Sequence, residues 1–111
     1  MTTTETVANW NRTVSVRPAA VVTPGRGAAR GAGSPLADLQ AIVRDPERFP
    51  SPLRAVGSLH SLTPCFATTG TVVRMREFDE IGTPATDGSI TVGAGVTMLA
   101  LRKALERHGL Q

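Results

Sequence analysis

The chain has 111 residues, 41% of them hydrophobic and 19% charged, with a net charge of +3; this is the size of one small domain with a globular composition. Aromatic residues make up 4%, with no tyrosine, which disfavours a protein that stacks nucleic-acid bases on exposed rings. Arg26 and Arg30 share one Gly/Ala-rich stretch without acids, so the remaining charge is near balance and its basicity does not call for a nucleic-acid partner.

The single cysteine, Cys65, excludes an internal disulfide and a cysteine zinc cluster. No apolar run approaches membrane-spanning length. The opening MTTTETVANW lacks the basic start and apolar core of a secretory leader. Together these features predict a cytoplasmic protein with no membrane partner.

Residues 1–8 are polar and Thr-rich, and are expected to form a disordered N-terminal arm. Trp10 is expected to tie that arm to the body. Ala20–Thr23 reads as a short strand bounded by Pro18 and Pro24. Gly25–Gly33, GRGAARGAG, reads as a flexible surface loop. It lacks the Lys-Ser/Thr that closes a P-loop, so an insertion or linker explains it better than a phosphate loop. Ser34-Pro35 is a helix start, and Leu36, Leu39 and Val43, with Ile42 beside them, carry a helix to about Arg44. Asp45-Pro46 and Phe49–Pro52 break it before a strand at Leu53–Val56. Strand, helix and strand at this spacing predict a βαβ unit with parallel strands, whose ligands bind at the strands' carboxyl ends.

Gly57–Cys65 lies at one such end. Its small residues let successive backbone N–H groups face a common point, an anion-binding concavity. His60 in that turn is either an ordinary surface histidine or a group that hydrogen-bonds, titrates or acts as a nucleophile beside the anion. Ser58 and Ser61 flank it, but with no nucleophile elbow and no Asp partner they do not mark a hydrolase triad. No catalytic residue is assigned. Cys65 has no basic neighbour in sequence and reads as a small packed hydrophobe.

Thr71–Met75 is a third strand, followed by a polar connector, Arg76–Asp87, with Phe78 and Ile81 tucked beneath it. Its carboxylates Glu77, Asp79 and Glu80 have no histidine partner and read as a solvated face, with no metal site. Ser89–Val92 is expected to be a fourth strand. Gly93 and Gly95 after it serve either the approach of a cofactor or a plain turn. Thr97 caps a second helix with Met98, Leu101, Leu105 and His108 on one face, stopped by Gly109. His108, in the last turn, suits the helix dipole and reads as structural.

Taken in order, these segments resemble the N-terminal part of the flavin-binding domain of the vanillyl-alcohol oxidase / p-cresol methylhydroxylase superfamily, and most nearly its sugar-alcohol and aldonolactone oxidases. Asn9-Trp10-Asn11 is similar to the family's opening Asn-Trp, and Arg17–Pro24 to its first strand. Leu36–Val43 is similar to the helix that follows, and Arg54–Ser61, RAVGSLHS, to the pyrophosphate turn with its flavin histidine. Thr68–Asp79, Ile90–Thr97 and the helix ending His108-Gly109-Leu110 complete the series.

The resemblance implies an α+β fold: a partial flavin-binding domain over residues 9–111, in which a βαβ unit is followed by further short strands and a C-terminal helix. It implies FAD as cofactor, held by Val56, Gly57, Ser58, Leu59, His60 and Ser61, with His60 at the place of the histidine bonded to the flavin 8-methyl carbon in the oxidase branch. It implies oxidation of an alcohol group with oxygen as acceptor. Family members continue into a second Gly-rich flavin segment and a substrate domain, which this sequence does not contain. The expectation is therefore a truncated module, inactive alone, partnered by FAD and by a complementary C-terminal segment or a second copy. The alternative is a non-catalytic remnant or protein-interaction module. Whether the chain is itself an enzyme stays open at this point.

Overall fold

A computed structural model describes residues 5–26 and 34–111. Most of the expected Gly/Ala/Arg loop, including Arg30, and the first four residues of the expected arm lie outside the described residues. The chain divides into two compact units, Met1–Glu77 and Phe78–Gln111.

The first unit is built on a three-stranded parallel sheet. Its strands are β3 (Ala20–Val22), β4 (Leu53–Val56) and β5 (Thr71–Arg74), in the order β3-β5-β4. Thr71, Val72 and Val73 are all buried, so β5 carries β-branched residues on both faces, the pattern of a central parallel strand. Ala20 and Leu53 both register with Thr71. The two strands that flank the helix are thus parallel, as expected, but β5 inserts between them. β4 is left at an edge, with Arg54 and Ala55 exposed; a charge there discourages pairing with another chain.

The crossover helix α1 (Pro35–Val43) starts where the sequence places it. Ser34 Oγ accepts from the Ala37 N–H at 3.1 Å, Pro35 occupies the first turn, and Arg44 caps the end. The buried stripe is narrower than the apolar pattern suggests: Ile42 and Asp38, one turn apart, are buried, whereas Leu36 and Val43 are exposed.

Ahead of the sheet, β1 (Val7–Ala8) pairs antiparallel with β2 (Ser15–Val16). Val7 is 1% exposed and packs with Val56, Phe66 and Val72, with Val14, Val16, Val21 and Leu59 against them. The expected disordered arm therefore gives way to structure before Ala8. Burying a valine side chain contributes about 1.5–3 kcal/mol, enough to pin a short strand that local propensity alone would leave frayed. Trp10 does not anchor the arm through its ring, which is 63% exposed.

The approach to β4 is held by carbonyls of a proline-rich segment. Thr68 Oγ1 donates to the Pro52 C=O at 2.8 Å, Thr71 Oγ1 to the Pro50 C=O at 2.9 Å, and the Thr71 N–H to the Pro52 C=O at 3.1 Å. Gly70 sits between them, and a Cβ there would lie 2.5 Å from the Ser51 carbonyl carbon and 2.6 Å from the Pro52 oxygen.

In the second unit the expected fourth strand is absent. Val92 forms an isolated bridge with Ile81, supported by Gly82 N–H to Thr91 C=O at 2.9 Å and Ala85 N–H to Ser89 C=O at 2.8 Å. The facing segment carries Gly82 and Pro84; glycine packs no side chain and proline donates no hydrogen bond, so a ladder cannot extend. Helix α2 (Met98–Arg107) is capped by the Thr97 hydroxyl, 3.1 Å from the Ala100 N–H. It ends at Gly109, φ +72°, with Leu110 N–H bonded to Leu105 C=O. Ala104 is its buried residue; Leu101 and Leu105 are half-buried, while Met98 and His108 are exposed. No helix among the described residues is long and apolar enough to cross a membrane.

Gly70→Ala is expected to destabilise the fold by about 1–3 kcal/mol, because the intruding methyl meets backbone that cannot rotate away. Urea unfolding measures this; an unchanged midpoint would mean that the Pro50–Pro52 segment yields freely.

Candidate functional site

In a parallel sheet every strand delivers its carboxyl end to the same edge. The last ladder bond beyond β4 runs from Met75 N–H to Val56 C=O at 3.3 Å. There the chain leaves the sheet and enters the turn Gly57–Ser61. No acceptor among the described residues faces the N–H groups of Gly57, Ser58, Leu59, His60 or Ser61. Gly57, Ser58 and His60 are exposed, and Leu59 and Ser61 half-buried. Consecutive free donors at a strand's carboxyl end fit an anion.

The turn has a defined backbone because Leu59 adopts φ +58°. A non-glycine residue in this region costs roughly 1–2 kcal/mol. The compensation is visible: the Leu59 side chain packs on the Val7–Val56–Phe66–Val72 cluster, while His60, the next residue, is exposed. The His60 imidazole makes no hydrogen bond among the described residues.

Asn9, 3% exposed, is the buried polar group of this region. Its Nδ2 donates to the Ser61 C=O at 2.9 Å and to Thr13 Oγ1 at 3.0 Å, and its Oδ1 accepts from the Val14 N–H at 3.0 Å. The Trp10 N–H donates to the Leu59 C=O at 2.9 Å. The tie between N-terminal segment and body expected of the Trp10 ring is made by the Asn9 amide and the Trp10 backbone.

Beyond the turn, Cys65 is exposed, not packed as expected. Its Sγ lies 3.3 Å from Ser61 Oγ. Hydrogen bonding by the Ser61 and then the Thr63 hydroxyl holds its thiol below the ordinary range, against a small opposing effect of desolvation, and the Arg54 charge adds to the lowering.

At the carboxyl end of β3, Gly25 adopts φ +93° and donates its N–H to Asp38 Oδ2 at 2.7 Å. Asp38 is 5% exposed. Sequence reasoning missed it; its one visible signal is an acid in the first turn of a helix. Asn9 was missed as a side chain because its partner lies 52 residues away. Gly93 serves its own unit: a Cβ there would lie 2.7 Å from the Phe78 carbonyl carbon, and its N–H donates to the Glu80 C=O at 2.8 Å. Glu77 lies 3.6 Å from the Arg26 guanidinium, and Asp79 and Glu80 are exposed.

A parallel sheet that ends one strand in amides with no acceptor among the described residues has the donor arrangement a phosphate group requires. The profile of a family described as an FAD binding domain matches residues 18–111. The chain belongs to that family, the FAD-binding domain of the vanillyl-alcohol oxidase / p-cresol methylhydroxylase proteins, and its cofactor is FAD. No curated protein matches the chain. The free amides of the turn and the absence of acids from Leu53–Cys65 fit the pyrophosphate of that cofactor.

Alkylation of Cys65 by iodoacetamide is expected to follow a pH profile whose midpoint lies below that of the unfolded chain. Hydroxyl donors favour the thiolate, so Ser61→Ala should move the midpoint upward. Identical midpoints in the wild type and Ser61→Ala would show that the Ser61 contact does not act on the thiol.

Proposed function

We propose that residues 9–111 are the pyrophosphate-holding portion of a flavin-dependent oxidoreductase that oxidises an alcohol group, of the sugar-alcohol or aldonolactone type, with oxygen as acceptor. The observation that carries this reading is the run of N–H groups from Gly57 to Ser61, without an acceptor among the described residues, at the carboxyl end of β4. Bound FAD supplies hydride-accepting ring chemistry that no side chain provides. The chain's own part is to hold and orient. Gly57, Ser58, Leu59 and Ser61 present their N–H groups to the pyrophosphate, Val56 closes the strand beneath them while still paired with β5, and His60 presents an exposed imidazole, with no hydrogen bond among the described residues, for covalent attachment of the flavin. A cytoplasmic location accords with the single exposed, unpaired thiol.

A second reading rests on the second unit, where Met98 is 79% and Leu99 54% exposed. Side chains of that size in water favour docking of a complementary segment or a second copy. Sedimentation velocity separates the two: a monomer at all concentrations, with no added segment bound, counts against this interaction reading.

Gly57→Ala is expected to leave stability unchanged or raise it by up to about 1 kcal/mol, since a Cβ there meets nothing within 4 Å. It should nonetheless weaken FAD and ADP binding measured by calorimetry, while riboflavin, which lacks the phosphates, competes with neither. Equal competition by riboflavin would remove the pyrophosphate role. Separately, flavin fluorescence that survives a denaturing gel should vanish in His60→Ala; a band retained in that variant would sink the attachment role.

A further inference from the structure

We infer that Asn9 is a positioning residue of the pyrophosphate turn: by holding the Ser61 carbonyl, it keeps that acceptor turned away from the anion and directs the Leu62 N–H to the side opposite the hairpin. This rests on the flavin reading above.

In a trans peptide the C=O of one residue and the N–H of the next point in opposite directions. The Trp10 N–H holds the Leu59 C=O at 2.9 Å, so the His60 N–H is directed away from the β1–β2 hairpin. Asn9 Nδ2 holds the Ser61 C=O at 2.9 Å, so the Leu62 N–H is directed away from it in the same manner. Two consecutive residues, Asn9 through its side-chain amide and Trp10 through its backbone N–H, thus grip the carbonyls of the residues on either side of His60. Without them these carbonyls could rotate toward the free amides and oppose an anion.

Asn9 is suited to this by its own fixation. Its Oδ1 accepts from the Val14 N–H, its second Nδ2 hydrogen goes to Thr13 Oγ1, and its N–H donates to the Val14 C=O at 3.0 Å. The Arg12 N–H closes the loop on the Asn9 C=O at 3.0 Å, with Arg12 at φ +59°. A buried amide with its donors and acceptor engaged cannot swing, so the Ser61 carbonyl is held rigidly. Aspartate has the same shape but lacks the NH2 donors, and would turn a carboxylate toward the Ser61 carbonyl.

The test compares the wild type with Asn9→Asp, Asn9→Ala and Asn11→Ala. Asn11→Ala removes the hairpin bonds from Thr13 to Asn11 Oδ1 while leaving each Asn9 bond in place. Two readouts are taken: FAD affinity by calorimetry, and amide chemical shifts and hydrogen exchange across residues 57–62 and β5. Asn9→Asp and Asn9→Ala are expected to lose about tenfold or more in FAD affinity, with the His60 and Leu62 amides shifted and β5 protection retained. Asn11→Ala should stay within about threefold of wild type. Wild-type affinity in Asn9→Asp, or a loss in Asn11→Ala equal to that in Asn9→Asp, would overturn the assignment. If β5 protection collapses in either Asn9 variant, Asn9 is a general stability residue and the positioning role is lost. If the wild-type turn amides do not respond to FAD at all, the flavin reading itself fails, a result distinguishable from failure of the Asn9 role alone.

Discussion

The central strand β5 is the constraint on which the first unit depends. Thr71, Val72 and Val73 are buried and pair on both sides, so β3 and β4 must each lie parallel to β5 and end at the same edge. The ladder also decides which amides are spent. Up to Val56, β4 pairs with β5; past the bond from Met75 to Val56, the turn has left the sheet. Backbone N–H groups are obligatory donors that must find water, protein or ligand. The candidate site therefore begins where pairing ends, and the donors it offers follow from the strand's length as much as from any side chain.

Such a run of donors needs a fixed shape to discriminate a pyrophosphate from water, and here opposing local terms are balanced. The left-handed backbone at Leu59 costs roughly 1–2 kcal/mol. A half-buried leucine regains part of about 1.5–3 kcal/mol. The two terms are comparable, so packing alone does not fix the turn. The hydrogen bonds from the hairpin to the Leu59 and Ser61 carbonyls, each worth about 0.5–1.5 kcal/mol net, tip the balance. This links the burial of Val7 to the orientation of groups beside His60: the core residue seats the hairpin, and the hairpin holds the turn.

Much of this was legible in the sequence where the cause is local. The Ser34-Pro35 start and the Gly109 stop follow from capping chemistry, and Leu53–Val56 from the prolines before it and the glycine after it. Where the cause is distant the reading failed. Val7 forms a strand because the core reaches it, and Ser89–Val92 does not because Gly82 and Pro84 face it. The order β3-β5-β4 could not be read from spacing, since adjacency in a sheet is set by which strand is apolar on both faces. Within the site, the turn and His60 were visible as a motif. Asn9 was visible only as part of a resemblance, because its bond to Ser61 joins segments that no local pattern relates.

The glycines make the sharpest comparison between fold and site. Gly70 is required by the backbone of Ser51 and Pro52, and Gly93 by that of Phe78. Gly25, Gly88 and Gly109 occupy positive φ. Gly57 meets neither condition: its φ lies outside the left-handed range and a Cβ there would touch nothing. The fold gives no reason for glycine at that position, yet glycine where alanine would fit costs about 0.4–1 kcal/mol through the freedom of the unfolded chain. A residue that the protein's own packing does not require, placed first in a row of unpaired amides, is best accounted for by something that approaches the backbone from outside. This favours a ligand at the end of β4 independently of His60, since it would hold even if the imidazole never bonded to the flavin.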